Sequence, residues 1–139
     1  MNIPDELLYT REHEWIKVED QLAKIGITDF AQHHLGDIVF VELPELDSEV
    51  EASEEIAVIE SVKAVSPVYS AVAGKVVEAN TELEEAPEKL NEEPYENWIA
   101  LVEISNPDDL QALLSPAEYE QFCLEEEQKM QQELEQEGN

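Results

Sequence analysis

The chain has 139 residues, of which 42% are hydrophobic, enough for one domain built around one core. Its 35 acidic and 7 basic residues give a net charge of −28. This charge excludes nucleic acid and anionic membrane surfaces as partners and favours proteins with basic docking patches. Acids that serve only solubility would give the same composition, so the sequence leaves both interpretations open.

The cysteine content and the apolar runs indicate the compartment. A single cysteine, Cys123, cannot form an internal disulfide, which fits a reducing environment. No apolar run approaches transmembrane length, and no basic leader precedes the apolar residues at 7–9. We therefore expect a protein of a reducing compartment that does not enter a membrane.

Residues 7–105 carry the patterns of a mainly β protein. Two apolar runs flank a polar triplet and predict a hairpin, at 15–18 and 22–26. A short helix follows, because Thr28 or Asp29 can cap its start and Gly36 can end it. Further strands are predicted from apolar and β-branched runs at 38–43, 56–59, two pieces of 68–79 around Gly74, and 98–104.

A faint internal repeat runs through these strands. Residues 36–39 resemble residues 74–77, and residues 58–60 resemble residues 101–103. Two similar β-halves predict a flattened barrel or sandwich. Chance similarity between β-rich segments remains an alternative explanation of the repeat.

The character of the sequence changes after residue 105. A helix is predicted to start at residue 107 and to run through Leu114. A second begins with Ser115 as N-cap, Pro116 at its first position and Glu118 at its third. We expect these helices within 107–126, a single domain over 1–126, and a fraying or disordered acidic tail over 127–139.

The segment with the clearest chemistry is Glu60-Ser61-Val62-Lys63-Ala64. An apolar strand enters it and another strand is predicted from Val68, so Lys63 should lie near the tip of a turn, exposed to solvent. A lysine that enters another protein's active site needs an exposed amine, small neighbours and rigid flanking strands. For an isolated lysine an ordinary solvated turn would be the better explanation. Lys75 is the nearest competitor and is predicted to be a solvated strand lysine.

Several separate runs resemble, in order, the motifs of the glycine cleavage H-protein family. They are the opening motif at 9–15, the central motif at 26–32 and 35–44, the lipoylation motif at 60–64, then Pro94-Tyr95, Trp98 and the acidic helical end. The resemblance implies a lipoyl/biotinyl-type barrel-sandwich hybrid of two antiparallel sheets, with a short internal helix and C-terminal helices. It also implies lipoic acid in amide linkage to Lys63, recognised through Glu60, Ser61, Val62 and Ala64.

The resemblance further implies a carrier that makes no bonds unaided. It would shuttle an aminomethyl group from a pyridoxal-phosphate glycine decarboxylase to a tetrahydrofolate-dependent aminomethyltransferase, and then electrons to dihydrolipoyl dehydrogenase. A lipoate-attaching enzyme is the fourth implied partner. We expect a monomer in the bacterial cytoplasm, or in the mitochondrial matrix if this is a mature eukaryotic chain.

A groove that protects the loaded arm is also implied. The family pattern points to Glu14, His34 and Pro67 as its border, although Glu14 would equally suit a solvated strand edge and His34 a surface role. Pro67 stands where an acidic residue is common, so we expect weaker retention of the arm. Two more departures are Asp47 and Ser53 at usual glycine positions, and a Tyr95-to-Trp98 interval one residue short.

Other functions remain as alternatives. A lipoyl relay that donates the group to 2-oxoacid dehydrogenases would use the same lysine, whereas a biotin carrier would usually have methionines beside it. A non-enzymatic adaptor without the arm would not need the Lys63 motif. The sequence has no nucleophile–base pair and no phosphate-binding glycine loop, and the spacing of its histidines and Cys123 follows no zinc pattern. We therefore predict neither catalytic residues nor a metal site.

Overall fold

The computed structural model describes residues 1–137, in which two antiparallel sheets face each other. The strands are β1 (Leu8–Tyr9), β2 (Glu14–Glu19), β3 (Leu22–Ile27), β4 (Ile38–Glu42), β5 (Glu49–Val50), β6 (Glu55–Ser61), β7 (Val65–Tyr69), β8 (Gly74–Ala79) and β9 (Ala100–Ile104). The helices are α1 (Asp29–Leu35), α2 (Glu82–Glu85), α3 (Lys89–Glu92) and α4 (Pro116–Glu137), with a 3-10 helix at Pro107–Ala112.

The strands divide unequally between the sheets. One sheet has six strands in the order β1-β2-β3-β9-β8-β5, and the other has three in the order β4-β6-β7. The apolar faces of both meet in one core that includes Ile25, Ile59 and Val102. The predicted mainly β fold with its first hairpin is confirmed, and that hairpin pairs Trp15 with Gly26. A Cβ at Gly26 would lie 2.5 Å from the Trp15 ring, so only glycine fits there.

The two segments of the faint repeat form two strand pairs, β4 with β6 and β8 with β9. Each pair is antiparallel, and each has a bulge at the corresponding valine, Val39 in β4 and Val77 in β8. The pairing register differs by two residues, since Ile38 pairs with Ser61 whereas Val76 pairs with Val102. The repeat therefore corresponds to related strand pairs with shifted partners.

Several element boundaries differ from those predicted, and two of the differences have a clear physical cause. The strand after Lys63 begins at Val65 instead of Val68, because the chain reverses within two residues and pairs with β6 at once. The predicted helix from residue 107 is wrong in type and extent. It is a 3-10 helix that stops at Ala112, and Leu114 instead bridges to Tyr9 in β1.

Helix α4 begins as predicted, with a reciprocal cap. Ser115 N–H donates to Glu118 Oε1 (3.0 Å), and Glu118 N–H donates to Ser115 Oγ (3.2 Å). The helix continues to Glu137, and the described side chains from 127 to 134 are exposed. That residues 127–139 fray in solution remains a prediction, and residues 138–139 lie outside the described chain.

The two departures from glycine have a backbone explanation. Asp47 and Ser53 have φ angles of 66° and 70°, in the left-handed region that side chains disfavour and glycine tolerates. Both residues lie in turns that flank the short strand β5. The departures therefore add local backbone strain at these two turns.

Candidate functional site

The Lys63 site is a tight hairpin between β6 and β7. Ser61 N–H donates to Ala64 O at 2.8 Å, which leaves only Val62 and Lys63 at the tip. The Ser61 hydroxyl oxygen accepts hydrogen bonds from the backbone N–H groups of Lys63 and Ala64, both at 3.1 Å. Ser61 thus fixes the backbone of the tip from inside the turn, while the Lys63 side chain stays exposed.

The turn between α1 and β4 packs against this hairpin and supports it. Val62 N–H donates to Asp37 O at 3.0 Å, so the tip is tied to the turn that precedes β4. Gly36 ends α1 with a φ of 76°, and a Cβ at that position would lie 3.3 Å from Lys63 Cε. Glycine therefore serves two needs here, a left-handed backbone and space for the stem of the lysine.

Asn91 in α3 holds that turn in place, and sequence analysis missed it. Its side-chain oxygen accepts from Ile38 N–H at 2.9 Å. Its amide nitrogen donates to Gly36 O (2.9 Å) and to Gln32 Oε1 (3.1 Å). One side chain thus joins α1, the Gly36 turn and the start of β4. No local pattern signals such a residue, because its partners lie more than 50 positions away in sequence.

Lys75 lies in a different environment. It is within β8, which is paired on both sides, with Glu49 in β5 and Glu103 in β9. Its ammonium lies 3.5 Å from an Asp47 carboxylate oxygen. Lys75 is therefore a half-exposed strand lysine, whereas Lys63 projects from the end of a hairpin.

Glu14 is buried, so the solvated strand-edge interpretation is wrong. Only 2% of it is exposed. Its carboxylate accepts hydrogen bonds from Tyr69 N–H at the end of β7 (2.9 Å) and from the Thr10 hydroxyl (2.7 Å). Burial raises its pKa to about 7, although both hydrogen bonds act in the opposite direction. Glu14 joins the two sheets and also lines a cavity of about 330 Å³ beside Tyr69.

The other two groove residues line different surfaces. His34 stacks on Phe30 with ring centroids 4.1 Å apart, and its Nδ1 lies 2.9 Å from Phe30 O. It borders a separate cavity of about 210 Å³. Pro67 is exposed on β7, an edge strand, where it pairs with Val58. Among the described residues, the fold therefore does not bring Glu14, His34 and Pro67 into a single cavity.

Within residues 1–137, no three His, Cys, Asp or Glu side chains gather in a group that could hold a metal ion. No described helix combines the length and the apolar character needed to cross a membrane.

Comparison with known proteins places the chain in a family. The model of the glycine cleavage H-protein family matches residues 7–126. The chain belongs to the glycine cleavage H-protein family. The glycine cleavage system H protein of Alkaliphilus oremlandii is 58% identical over 120 residues, which are 86% of this chain and 94% of that protein. That of Syntrophomonas wolfei is 56% identical over 127 residues, covering 91% of this chain and 98% of the relative.

A solved member of the glycine cleavage H-protein family has the same fold. The crystal structure of a glycine cleavage system H protein from Mycobacterium marinum superposes with a TM-score of 0.78 at 35% identity, covering 84% of this chain and 95% of that one. The predicted sandwich of two antiparallel sheets is thereby confirmed.

Membership establishes the general function. The chain is a lipoyl carrier of the glycine cleavage system, a non-catalytic subunit that bears lipoate covalently on a lysine and interacts with the other enzymes of the system. The space above Gly36 and the exposed amine of the hairpin lysine fit such a covalent arm.

Proposed function

We propose that Lys63 is the lysine that carries the lipoyl group. The observation that supports it most strongly is the hairpin itself, whose tip is Val62-Lys63 and whose backbone is fixed by the Ser61 hydroxyl. An attaching enzyme must bring the lysine amine into its own active site, and a protruding tip permits this without unfolding. Lys75, paired on both sides in β8, would require a strand to open first.

The residues of this chain contribute position and charge. Acylation converts the Lys63 ammonium to a neutral amide, so the arm can lie on apolar surface without burying a charge. When bound, the lipoyl group supplies a dithiolane that accepts an aminomethyl group and electrons. The rigid hairpin holds the base of the arm, and the tether keeps its end at high effective concentration near each partner.

The partners are the three other enzymes of the system and the enzyme that attaches the lipoate. They are the glycine decarboxylase, the aminomethyltransferase, dihydrolipoyl dehydrogenase and a lipoate-attaching enzyme. We place this function in one domain over residues 1–126, acting as a monomer in the bacterial cytoplasm. Recognition by the attaching enzyme uses the residues that flank the lysine, Glu60, Ser61, Val62 and Ala64.

Peptide mass spectrometry after enzymatic lipoylation tests the assignment of Lys63. We expect the lipoyl mass on the Lys63 peptide and none on the Lys75 peptide. Lys63→Arg should abolish lipoylation, whereas Lys75→Arg, the matched control, should be lipoylated at the wild-type rate. Neither change should alter the free energy of unfolding by more than about 0.5 kcal/mol, because both lysines are solvated. Lipoyl on another lysine would end the proposal.

The groove of the arm follows the outer side of β7. Val65, Pro67 and Tyr69 alternate with the more buried Ser66 and Val68, so they share one face that leads from Lys63 towards the cavity at Glu14. The Glu14 carboxylate offers a hydrogen-bond acceptor to a cationic amine at the end of this path. His34 lies against Phe30 beside a different cavity, so we leave it out of this path.

The release of ammonia or formaldehyde from purified loaded carrier tests this groove. Without the aminomethyltransferase, Glu14→Gln should speed the release, because the negative charge that retains the amine is lost. Pro67→Asp should slow it, because an acceptor is added along the same path. If neither substitution changes the rate, the groove is wrongly assigned, although Lys63 as the carrier residue would be unaffected.

A further inference from the structure

The outer surface of the six-stranded sheet, on the side away from the core, carries a large share of the basic residues. Ile25 and Val76 point into the core, and side chains alternate in direction along a strand, so their neighbours Lys24 and Lys75 point outward. Lys17 is paired with Lys24 and lies on the same side. Three of the seven basic residues of the chain are therefore gathered on one face.

A first row of outward side chains crosses four strands, with opposite charges at its two ends. From β2 to β8 the paired residues are Lys17, Lys24, Leu101 and Glu78. All four border one cavity of about 180 Å³. Trp98 borders it too, with its ring centroid 5.9 Å from Lys24 Nζ. The row is thus basic on β2 and β3 and acidic on β8.

A second row, two residues further along the same strands, has the opposite polarity. From β2 to β8 its paired residues are Glu19, Leu22, Glu103 and Lys75. Glu19 is the acidic end on β2, and Lys75 is the basic end on β8. Each row therefore carries opposite charges at its two ends, and the order of the charges is reversed between the rows.

These two rows, which we call the outer sheet face, hold none of the net charge of the protein. Their eight residues include three acids and three bases, whereas the whole chain carries −28. Leu22 and Leu101 lie on the two middle strands and are half-buried. The outer sheet face is therefore a neutral surface with apolar side chains at its centre, where an acidic protein is repelled less than elsewhere on this molecule.

The charges of the outer sheet face are complementary to themselves under a two-fold rotation. An axis in the plane of the sheet, parallel to the strands and between β3 and β9, places β2 of one copy over β8 of another. Lys17 then faces Glu78 of the second copy, and Glu19 faces Lys75 of the second copy. Because the rotation makes each contact twice, ion pairs flank the central leucines on both sides.

We propose that the outer sheet face forms a reversible dimer with a second copy of this chain, in which the two six-stranded sheets stack face to face. Stacked sheets keep their strands within about 30° of each other, which a rotation about an axis parallel to the strands satisfies. Four strands about 4.8 Å apart and about six residues long present a face of about 20 Å by 20 Å. An interface of this size is small, so the dimer is weak.

The carrier function needs only one copy and is compatible with this dimer. Lys63 follows β6 in the three-stranded sheet, which lies across the core from the outer sheet face. Stacking of the six-stranded sheets therefore leaves both lysines accessible. The dimer does not depend on which lysine carries the lipoyl group.

Sedimentation equilibrium of the full chain at protein concentrations up to about 1 mM tests the dimer. At low ionic strength the net charge of −28 keeps the copies apart, so we expect the mass of a monomer. In about 0.5 M salt the long-range repulsion is screened more than the ion pairs in contact, so the average mass should rise towards that of a dimer. A monomer mass under all these conditions would overturn the proposal.

Charge reversal distinguishes this arrangement from association through another face. Lys17→Glu and Glu78→Lys each place like charges opposite one another twice in the dimer, so each variant alone should raise the dimer Kd about tenfold or more. In an equimolar mixture the two reversed side chains face each other, as do the two unchanged ones, so every contact regains opposite charges. The mixture should therefore dimerise with about the wild-type Kd.

Lys89→Glu and Glu42→Lys provide the matched controls, because they reverse the same charges on α3 and β4, outside the outer sheet face. Alone or mixed, they should leave the dimer Kd within about twofold of wild type. A mixture of Lys17→Glu and Glu78→Lys that associates no more than either variant alone would overturn the two-fold arrangement. Equal effects of the control variants would show that net charge governs the association, and this result too would overturn the proposal.

Discussion

The strand pairs β4–β6 and β8–β9 are related in sequence and share an antiparallel arrangement with a bulge at the same position, yet their surroundings differ. The second pair lies inside the six-stranded sheet, with β5 and β3 as outer neighbours. The first pair has β7 on one side only, so its sheet ends after three strands. The same sequence pattern therefore forms interior strands in the six-stranded sheet, whereas in the three-stranded sheet it includes an edge strand.

This difference determines what each lysine can do. Lys75 lies in β8, which is paired with β5 on one side and with β9 on the other, so the backbone around this lysine is fixed. Lys63 follows β6 at the point where the chain reverses, and its support comes from Ser61 and from the Gly36 turn. A lysine that projects and is yet held rigidly thus requires a hairpin that extends from a small sheet, and a supporting turn outside that sheet. Three perturbations distinguish the contributions of these parts.

The largest expected effect is on Glu14, which fastens the six-stranded sheet to the last residue of β7. Its folded-state pKa is about 7, against 4.5 for an unperturbed glutamate. Between these values the folded chain keeps a proton that the unfolded chain has lost. Stability should therefore fall as the pH rises from about 4.5 to about 7, by about 3 kcal/mol, and then level off.

Chemical unfolding of wild type, Glu14→Gln and Glu103→Gln across this pH range checks the effect. Glu14→Gln should remove this part of the pH dependence, because the amide cannot ionise. Glu103→Gln changes the net charge equally at an exposed position and should retain it. Parallel pH profiles for all three proteins would mean that Glu14 titrates like an ordinary surface carboxylate.

A smaller effect is expected at Asn91, which holds the Gly36 turn beside the Lys63 hairpin. Asn91→Ala removes three hydrogen bonds around the Gly36 turn and should cost about 1–3 kcal/mol of folding stability. It should also slow lipoylation, because Val62 is tied to that turn through Asp37 O. Unfolding curves and the kcat of attachment measure the two effects.

Asn80 provides the matched control in the other half. It follows β8 and donates one hydrogen bond to Trp98 O at 2.9 Å. Asn80→Ala should lower stability by about 1 kcal/mol and leave lipoylation unchanged. Equal lipoylation rates for Asn91→Ala and Asn80→Ala would show that Asn91 contributes to folding stability and not to lipoylation.

The sequence predicted the elements whose signals are local. Two apolar runs around a polar triplet marked the first hairpin, Thr28 and Gly36 marked the ends of α1, and Ser115 with Glu118 marked the start of α4. What it missed depends on distant contacts. The role of Asn91, and the contact by which buried Glu14 joins the two sheets, depend on partners more than 50 residues away, which no local pattern encodes. The 3-10 helix was mistaken for a longer helix because Leu114 is drawn to Tyr9 in β1.

The smallest effect is expected from removing residues 128–139, which should disturb neither the β4–β6 pair nor the β8–β9 pair. Helix α4 is anchored by its first turns, where the Tyr119 hydroxyl lies 2.6 Å from Thr28 Oγ1 and 2.8 Å from His13 Nδ1. Cys123 is also buried there, whereas the side chains from 127 to 134 are exposed. Truncation should therefore lower the free energy of unfolding by less than about 0.5 kcal/mol and leave lipoylation of Lys63 unchanged. Tyr119→Phe, which leaves the Thr28 and His13 side chains without this partner, should cost about 1–3 kcal/mol, and thermal melts of both variants measure the two effects. A truncated chain that melts as early as Tyr119→Phe would mean that the far end of α4 stabilises the β-sandwich, through contacts other than those of its first turns.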